Sequence, residues 1–196
     1  MAVSERATVL IVDDEPDVAD AYAAQLRDQY DVETAYSGEA ALDALDPSID
    51  VVLLDRRMPD ISGDDILERI RERDLQARVA MVTAVDPDFD ITEMAFDTYL
   101  TKPVSDEELR DVVDEMLRLA EYDEQVRERF AVAEKLALLE AEKTERELAT
   151  SDEYASLQER ATELDTQASE TVGKMSPEAF ERAISRLVDD GGSPSE

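Results

Sequence analysis

Residues 51–59 read VVLLDRRMP. Four apolar residues run straight into Asp55. A run that is apolar throughout reads as a parallel strand covered on both faces. Its carboxylate then stands at the strand's carboxyl end, the end at which α/β sheets bind ligands. A buried carboxylate is costly unless something compensates it, so the compensation has to come from elsewhere in the chain.

A second such run, TVLIV at 8–12, ends in Asp13-Asp14. Further β-branched stretches lie at 31–35, 79–83 and 98–101, with helical patterns at 16–30, 39–45, 63–73 and 106–119. Alternating strand and helix implies a parallel sheet with right-handed crossovers. The expected fold is α/β: a flavodoxin-like, doubly wound five-stranded parallel sheet, followed by an all-α helical hairpin or coiled-coil region. The segment 86–96 is short and acidic, which predicts a short or mobile helix there.

The 196 residues, 43% hydrophobic and 36% charged, suit one such domain plus a smaller unit. Cysteine is absent, which removes disulfides and thiolate chemistry. Histidine is absent too, so the chain has no imidazole base and cannot itself carry a phosphohistidine. The net charge of −31, from 51 acidic and 20 basic residues, repels nucleic-acid phosphates and anionic membranes. Lysine occurs only at Lys102, Lys135, Lys143 and Lys174. This acid-rich, lysine-poor balance resembles proteins of extreme halophiles, where salt screens self-repulsion. No run approaches the roughly 18 apolar residues of a membrane span, and the start, MAVSERATVL, lacks a secretory pattern. The expectation is a cytoplasmic protein with no membrane partner.

Residues 105–108, SDEE, form a capping box, and neither Gly nor Pro occurs from 104 to 172. Val112, Met116, Leu119, Val126, Phe130, Ala133 and Leu136 keep helical spacing, and TSDE at 150–153 offers a break. A second stripe follows at Leu157, Ala161, Leu164, Ala168, Val172 and Met175. Asp123 and Arg127 interrupt a strict heptad, which favours a self-packed hairpin over one long coiled coil. Gly173 and Ser176-Pro177 end the second helix and start a short one through Val188. The expected domains are 1–120 and 121–190, with a disordered tail at 191–196.

The strand ends gather Asp13, Asp14, Asp55, Thr83 and Lys102 at one rim. Three clustered carboxylates repel one another, and a hard cation such as Mg²⁺ removes the conflict. Asp55 then stays anionic and can attack phosphorus, with the metal offsetting charge on the transferring group. Thr83 can donate to one phosphoryl oxygen and Lys102 can pair with another. Met58-Pro59 and Gly63 read as loop geometry that shapes the site. Asp17, Asp20, Asp60, Asp64 and Asp65 read as solvated surface. After the first strand comes Asp13-Asp14-Glu15-Pro16 instead of a Gly-rich phosphate loop, which argues against a GTPase.

Four segments in order, VLIVDDEPDV, VVLLDRRMPDISG, AMVTAV and DTYLTKP, resemble the receiver domain of two-component response regulators over residues 8–118. The resemblance implies that Asp55 accepts a phosphoryl group from a sensor histidine kinase. It implies that Asp14 and Asp55 ligate Mg²⁺, that Asp13 acts mostly through water, and that the Arg57 carbonyl adds a ligand. It further implies a cis Lys102–Pro103 bond and a switch formed by Thr83 and Tyr99, although Tyr99 reads equally as a fixed core aromatic. Such a chain is a phosphoacceptor, not an enzyme, beyond its own phosphorylation and slow dephosphorylation. Two departures stand out: a shortened interval from Thr83 to Lys102, and Ala95-Phe96-Asp97 where the family has Gly-Ala.

The C-terminal region resembles the HalX-type domain of haloarchaea. The implied function is a response regulator that relays its state by protein contact, to a downstream protein or by self-association through the C-terminal helices. The alternative is a DNA-binding transcriptional regulator. Residues 121–196 hold 20 acidic and 9 basic residues, with only Arg182 and Arg186 paired on the last helix, so nucleic-acid contact is not favoured. A scaffold that cannot be phosphorylated is disfavoured by the intact Asp13, Asp14, Asp55, Thr83 and Lys102 set.

Overall fold

The computed structural model describes residues 6–87, 91–92, 94–177, 179–181 and 183–184. The chain divides into two compact units, Met1–Ala120 and Glu121–Glu196.

In the first unit five parallel strands, β1 (Thr8–Val12), β2 (Asp31–Ala35), β3 (Val51–Leu54), β4 (Arg78–Thr83) and β5 (Thr98–Thr101), form one sheet in the order β2-β1-β3-β4-β5. The sequence TVLIV is central because β1 pairs on both sides: Val9 with Val32 and Val51, Val12 with Ala35 and Leu54. β3 and β4 are buried along their whole length; β3 is apolar throughout, as a strand covered on both faces requires, while β4 carries the polar Arg78 and Thr83 at its two ends. The outer strands β2 and β5 are only partly covered.

Helix α1 (Pro16–Leu26) begins with proline at its first turn, where the missing N–H costs nothing. It ends four residues before the expected Tyr30. The N–H groups of Gln29 and Tyr30 both turn back to the Leu26 carbonyl, each at 3.0 Å, which folds the Tyr30 ring into the core. Ser37 caps α2 (Gly38–Ala44), and Ser62 with Asp65 forms a reciprocal capping box on α3 (Gly63–Glu72). One apolar core cluster includes Leu10, Val52, Leu54, Ile66, Ile70 and Met81. In the β4–β5 connection the described residues include only Ile91–Thr92 in 3₁₀ geometry, where a short helix was expected.

Helix α4 (Asp106–Glu142) runs well past the expected Leu119. Within the first unit its buried stripe is Leu109, Val113, Met116 and Leu119, so Val113 rather than Val112 faces inward. The buried spacing of four, three and three residues is a single helical face.

The second unit contains the rest of α4, a short α5 (Glu145–Leu148) and α6 (Asp152–Val172). Thr144 and Glu147 form a capping box, and Ser151 caps α6. Val132 and Leu136 pack on Leu157, Ala161 and Leu164. Arg129 reaches Asp165 at 2.8 Å and Glu140 receives the Tyr154 hydroxyl at 2.7 Å. Position rises along α4 as it falls along α6, so the pair is an antiparallel hairpin. Phe130, expected on the packed stripe, is 72% exposed. It lies out of phase with Val132 and Leu136, the face that α6 covers. Pro177 and residues 179–181 and 183–184 are helical, with the Ala179 N–H on Ser176 Oγ at 3.1 Å. The expected continuation to Val188 and the tail at 191–196 lie outside the described residues. Among those residues no helix is long and apolar enough to cross a membrane.

Candidate functional site

The sheet delivers its strand ends to one rim. Asp13 and Asp14 follow β1, Asp55 follows β3, Thr83 ends β4 and Lys102 follows β5. The Asp55 N–H continues the ladder onto the Val12 carbonyl at 2.8 Å, and the Lys102 N–H continues it onto the Thr83 carbonyl at 2.8 Å. Backbone pairing therefore sets the spacing of these side chains before any of them interacts.

Lys102 Nζ donates to Asp13 Oδ2 at 2.6 Å and to Asp55 Oδ2 at 2.7 Å. Asp13 is 2% and Asp55 8% exposed, while Asp14 is half-buried. Asp13, Asp14 and Asp55 each present a carboxylate oxygen, all within 4.8 Å of one another. One ammonium cannot neutralise three carboxylates, so the donor set fits a hard divalent cation that takes oxygen ligands. Burial pulls the Lys102 ammonium toward a lower pKa, but the hydrogen bonds and charges of Asp13 and Asp55 outweigh it, leaving it above the ordinary lysine value. The lysine is therefore a fixed cation at neutral pH.

The loop after β3 is built around the Asp55 carboxylate. The Arg57 N–H donates to Asp55 Oδ1 at 3.2 Å. The Gly63 N–H donates to the Arg56 carbonyl at 2.9 Å, and a Cβ on Gly63 would overlap the Asp55 carbonyl oxygen. Pro59 lies in this same loop, between β3 and α3. Thr83 is 1% exposed, and its Oγ1 accepts from the Val85 N–H at 3.4 Å. The register pairs Leu54 with Met81, which puts Thr83 on the rim beside Asp55. Tyr99 is half-buried, donates its hydroxyl to the Val85 carbonyl at 2.7 Å and stacks obliquely on Phe96, with ring centroids 5.7 Å apart. The Lys102–Pro103 peptide bond is cis.

Some neighbours were not apparent from the sequence. Tyr22 of α1 is 8% exposed, and burial raises its phenol pKa, with Lys102 opposing and Asp13 and Asp55 adding to the rise. Its place on the buried face Ala19, Tyr22, Ala23, Leu26 was the available signal. Asp64, expected to be solvated surface, takes the Arg56 guanidinium in a fork, Nε to Oδ1 at 3.0 Å and Nη2 to Oδ2 at 3.1 Å. Asp65 is exposed, as expected, and accepts from the Ser62 hydroxyl at 2.6 Å and from the Ser62 N–H.

Comparison with known proteins agrees with this geometry. A family model described as "Response regulator receiver domain" matches residues 9–114, and a "HalX domain" model matches residues 118–184. Over 138 residues the chain is 53% identical to a Haloferax volcanii protein named as a candidate transcriptional regulator, an alignment covering 70% of this chain and 24% of that protein. It is 37% identical over 121 residues to transcriptional regulatory protein CpxR of Escherichia coli, covering 60% of this chain and 52% of CpxR. The chain thus spans about a quarter of the first relative and about half of the second. Among solved structures, the CheY-like receiver domain protein of Methanospirillum hungatei superposes with a TM-score of 0.54 at 26% identity, covering 60% of this chain and 98% of that one. With its five-stranded parallel sheet, its acidic rim and a receiver model spanning more than half its length, this chain belongs to the response regulator receiver domain family.

Proposed function

We propose that this protein is a two-component response regulator that accepts a phosphoryl group on Asp55 from a sensor histidine kinase. The observation that carries the reading is the Lys102 ammonium shared between Asp13 and Asp55 beside a third carboxylate, Asp14. In the transfer, an Asp55 carboxylate oxygen forms a new bond to phosphorus. The bond from phosphorus to the donor's imidazole nitrogen breaks, and its electron pair stays with that nitrogen. Asp14, Asp55 and the Arg57 carbonyl would hold Mg²⁺, with Asp13 acting through water. The ion, when bound, offsets the charge of the carboxylates and of the phosphoryl oxygens. Lys102 pairs with one phosphoryl oxygen and the Thr83 hydroxyl donates to another. Thr83 and Tyr99 then form the switch, since the ring now anchored on Val85 can follow the hydroxyl.

The protein is a phosphoacceptor whose only catalysis is its own phosphorylation and slow dephosphorylation, acting in the cytoplasm. Its helical C-terminal region relays the switched state by protein contact. Acetyl phosphate with Mg²⁺ should add one phosphoryl mass to the chain, and Asp55→Asn should abolish the addition; an unmodified parent protein would overturn the reading. DNA binding is the second reading, favoured by the regulators that the chain resembles. Specific retention of a promoter fragment in molar KCl would establish it over protein contact.

A further inference from the structure

Far from the Asp55 rim, at the amino-terminal ends of β4 and β5, lies a charged cluster that phosphoryl transfer does not use. The Asp97 side chain is 5% exposed and accepts hydrogen bonds from the Val79 N–H at 2.8 Å, from Arg78 Nη1 at 2.7 Å and from Arg71 Nη2 at 3.1 Å. Its own N–H donates to the Val79 carbonyl at 2.8 Å. Arg78, equally buried, donates Nη2 to the Leu119 carbonyl of α4 at 3.2 Å. Arg71 donates Nε to the Ala95 carbonyl and Nη1 to the Ala77 carbonyl, each at 2.9 Å.

One carboxylate thus joins the residue before β5 to β4 and α3, and through Arg78 to α4. Planar guanidinium forks in a dry site are directional, so the cluster holds its partners at set positions. The position matters because β5 is an outer strand, paired among the described residues with β4 alone, and half-buried. Asp97 stands two residues before Tyr99, and Arg78 opens the strand that Thr83 closes.

We infer that Asp97 and Arg78 are positioning residues that tie β5, and with it Tyr99, to α4 at Leu119, so that a shift of β5 is transmitted to that helix. The inference rests on phosphorylation of Asp55 as the event that moves β5.

The test is hydrogen exchange of the α4 amides flanking Leu119, in the full chain in molar KCl, with and without beryllofluoride plus Mg²⁺. The parent protein should show a change in exchange there on activation. Asp97→Asn should keep the parent's uptake of a phosphoryl mass from acetyl phosphate yet lose the α4 change. Arg78→Lys keeps the buried charge but cannot fork between Asp97 and the Leu119 carbonyl. It should give the same loss, and it decides the matter if Asp97→Asn melts below the assay temperature. An α4 response of parental size in the folded variants overturns the inference, as does a phosphorylated parent with no α4 response. A parent that takes up no phosphoryl group overturns the Asp55 reading, and this inference with it.

Discussion

Gly63 lies directly against the backbone of Asp55: a Cβ at this position would overlap the Asp55 carbonyl oxygen and stand 2.8 Å from Arg56 Cα. Both obstacles are backbone, which cannot swing aside. Gly63→Ala should therefore displace the loop that carries Asp55, lowering stability by about 1–3 kcal/mol in denaturant titrations and slowing phosphoryl uptake from acetyl phosphate. Wild-type uptake with wild-type stability would contradict the assigned loop geometry.

Lys102 bridges two carboxylates, so Lys102→Met removes a cation from a site already rich in negative charge. Losing one charge-assisted hydrogen bond of about 1.5–3 kcal/mol corresponds to a rate loss of roughly tenfold to a hundredfold. Quenched-flow phosphorylation with acetyl phosphate, read by intact mass, measures it directly.

Removal of Mg²⁺ with a chelator should abolish phosphoryl uptake. Adding the ion to the unphosphorylated chain should raise the melting temperature, by linkage worth about 2.7 kcal/mol at a hundred times the dissociation constant. Asp14→Asn should shrink that shift without unfolding the chain, because the half-buried Asp14 side chain sits at the rim and not in the core.

Tyr30 donates its hydroxyl to Asp114 Oδ1 at 2.6 Å. Burial first, then the hydrogen bond and charge of Asp114, raise its phenol pKa well above the ordinary tyrosine value. The folded state thus favours the protonated phenol. Its contribution is complete below the unfolded pKa of about 10 and is lost as pH rises from there through the folded value. Tyr30→Phe should cost about 0.5–1.5 kcal/mol at neutral pH and flatten the alkaline limb of a stability–pH curve.

In the helical hairpin Leu164 is 1% exposed and packs with Val132 and Ala161. Leu164→Ala should destabilise the second unit by about 2–5 kcal/mol, read by calorimetry, while leaving phosphoryl uptake by the first unit at its parental rate.

The strand-end residues could be read from the sequence because each closes an apolar run, and such runs determine where the chain leaves the sheet. Asp13, Asp14, Asp55 and Lys102 meet for that reason. Tyr22, the Arg56–Asp64 fork and the Asp97 cluster were hidden for a different one. With 51 acidic residues for 20 basic ones, local pattern does not say which carboxylate a given arginine meets. Only the tertiary placement of α3 against the sheet selects Asp64 and Asp97. Phe130 shows a third kind of ambiguity. In a helix as long as α4, Val126-Phe130-Ala133 and Val132-Leu136-Leu139 are both periodic, and the choice between them belongs to α6.

Lys102 is also the sole lysine between Met1 and Ala120, and its side chain is 13% exposed. Mild acylation of the intact chain therefore meets just one ε-amine in the whole first unit, guarded by two acids. Loss or gain of a label at that amine becomes a footprint of what occupies the rim, obtained without altering a single residue.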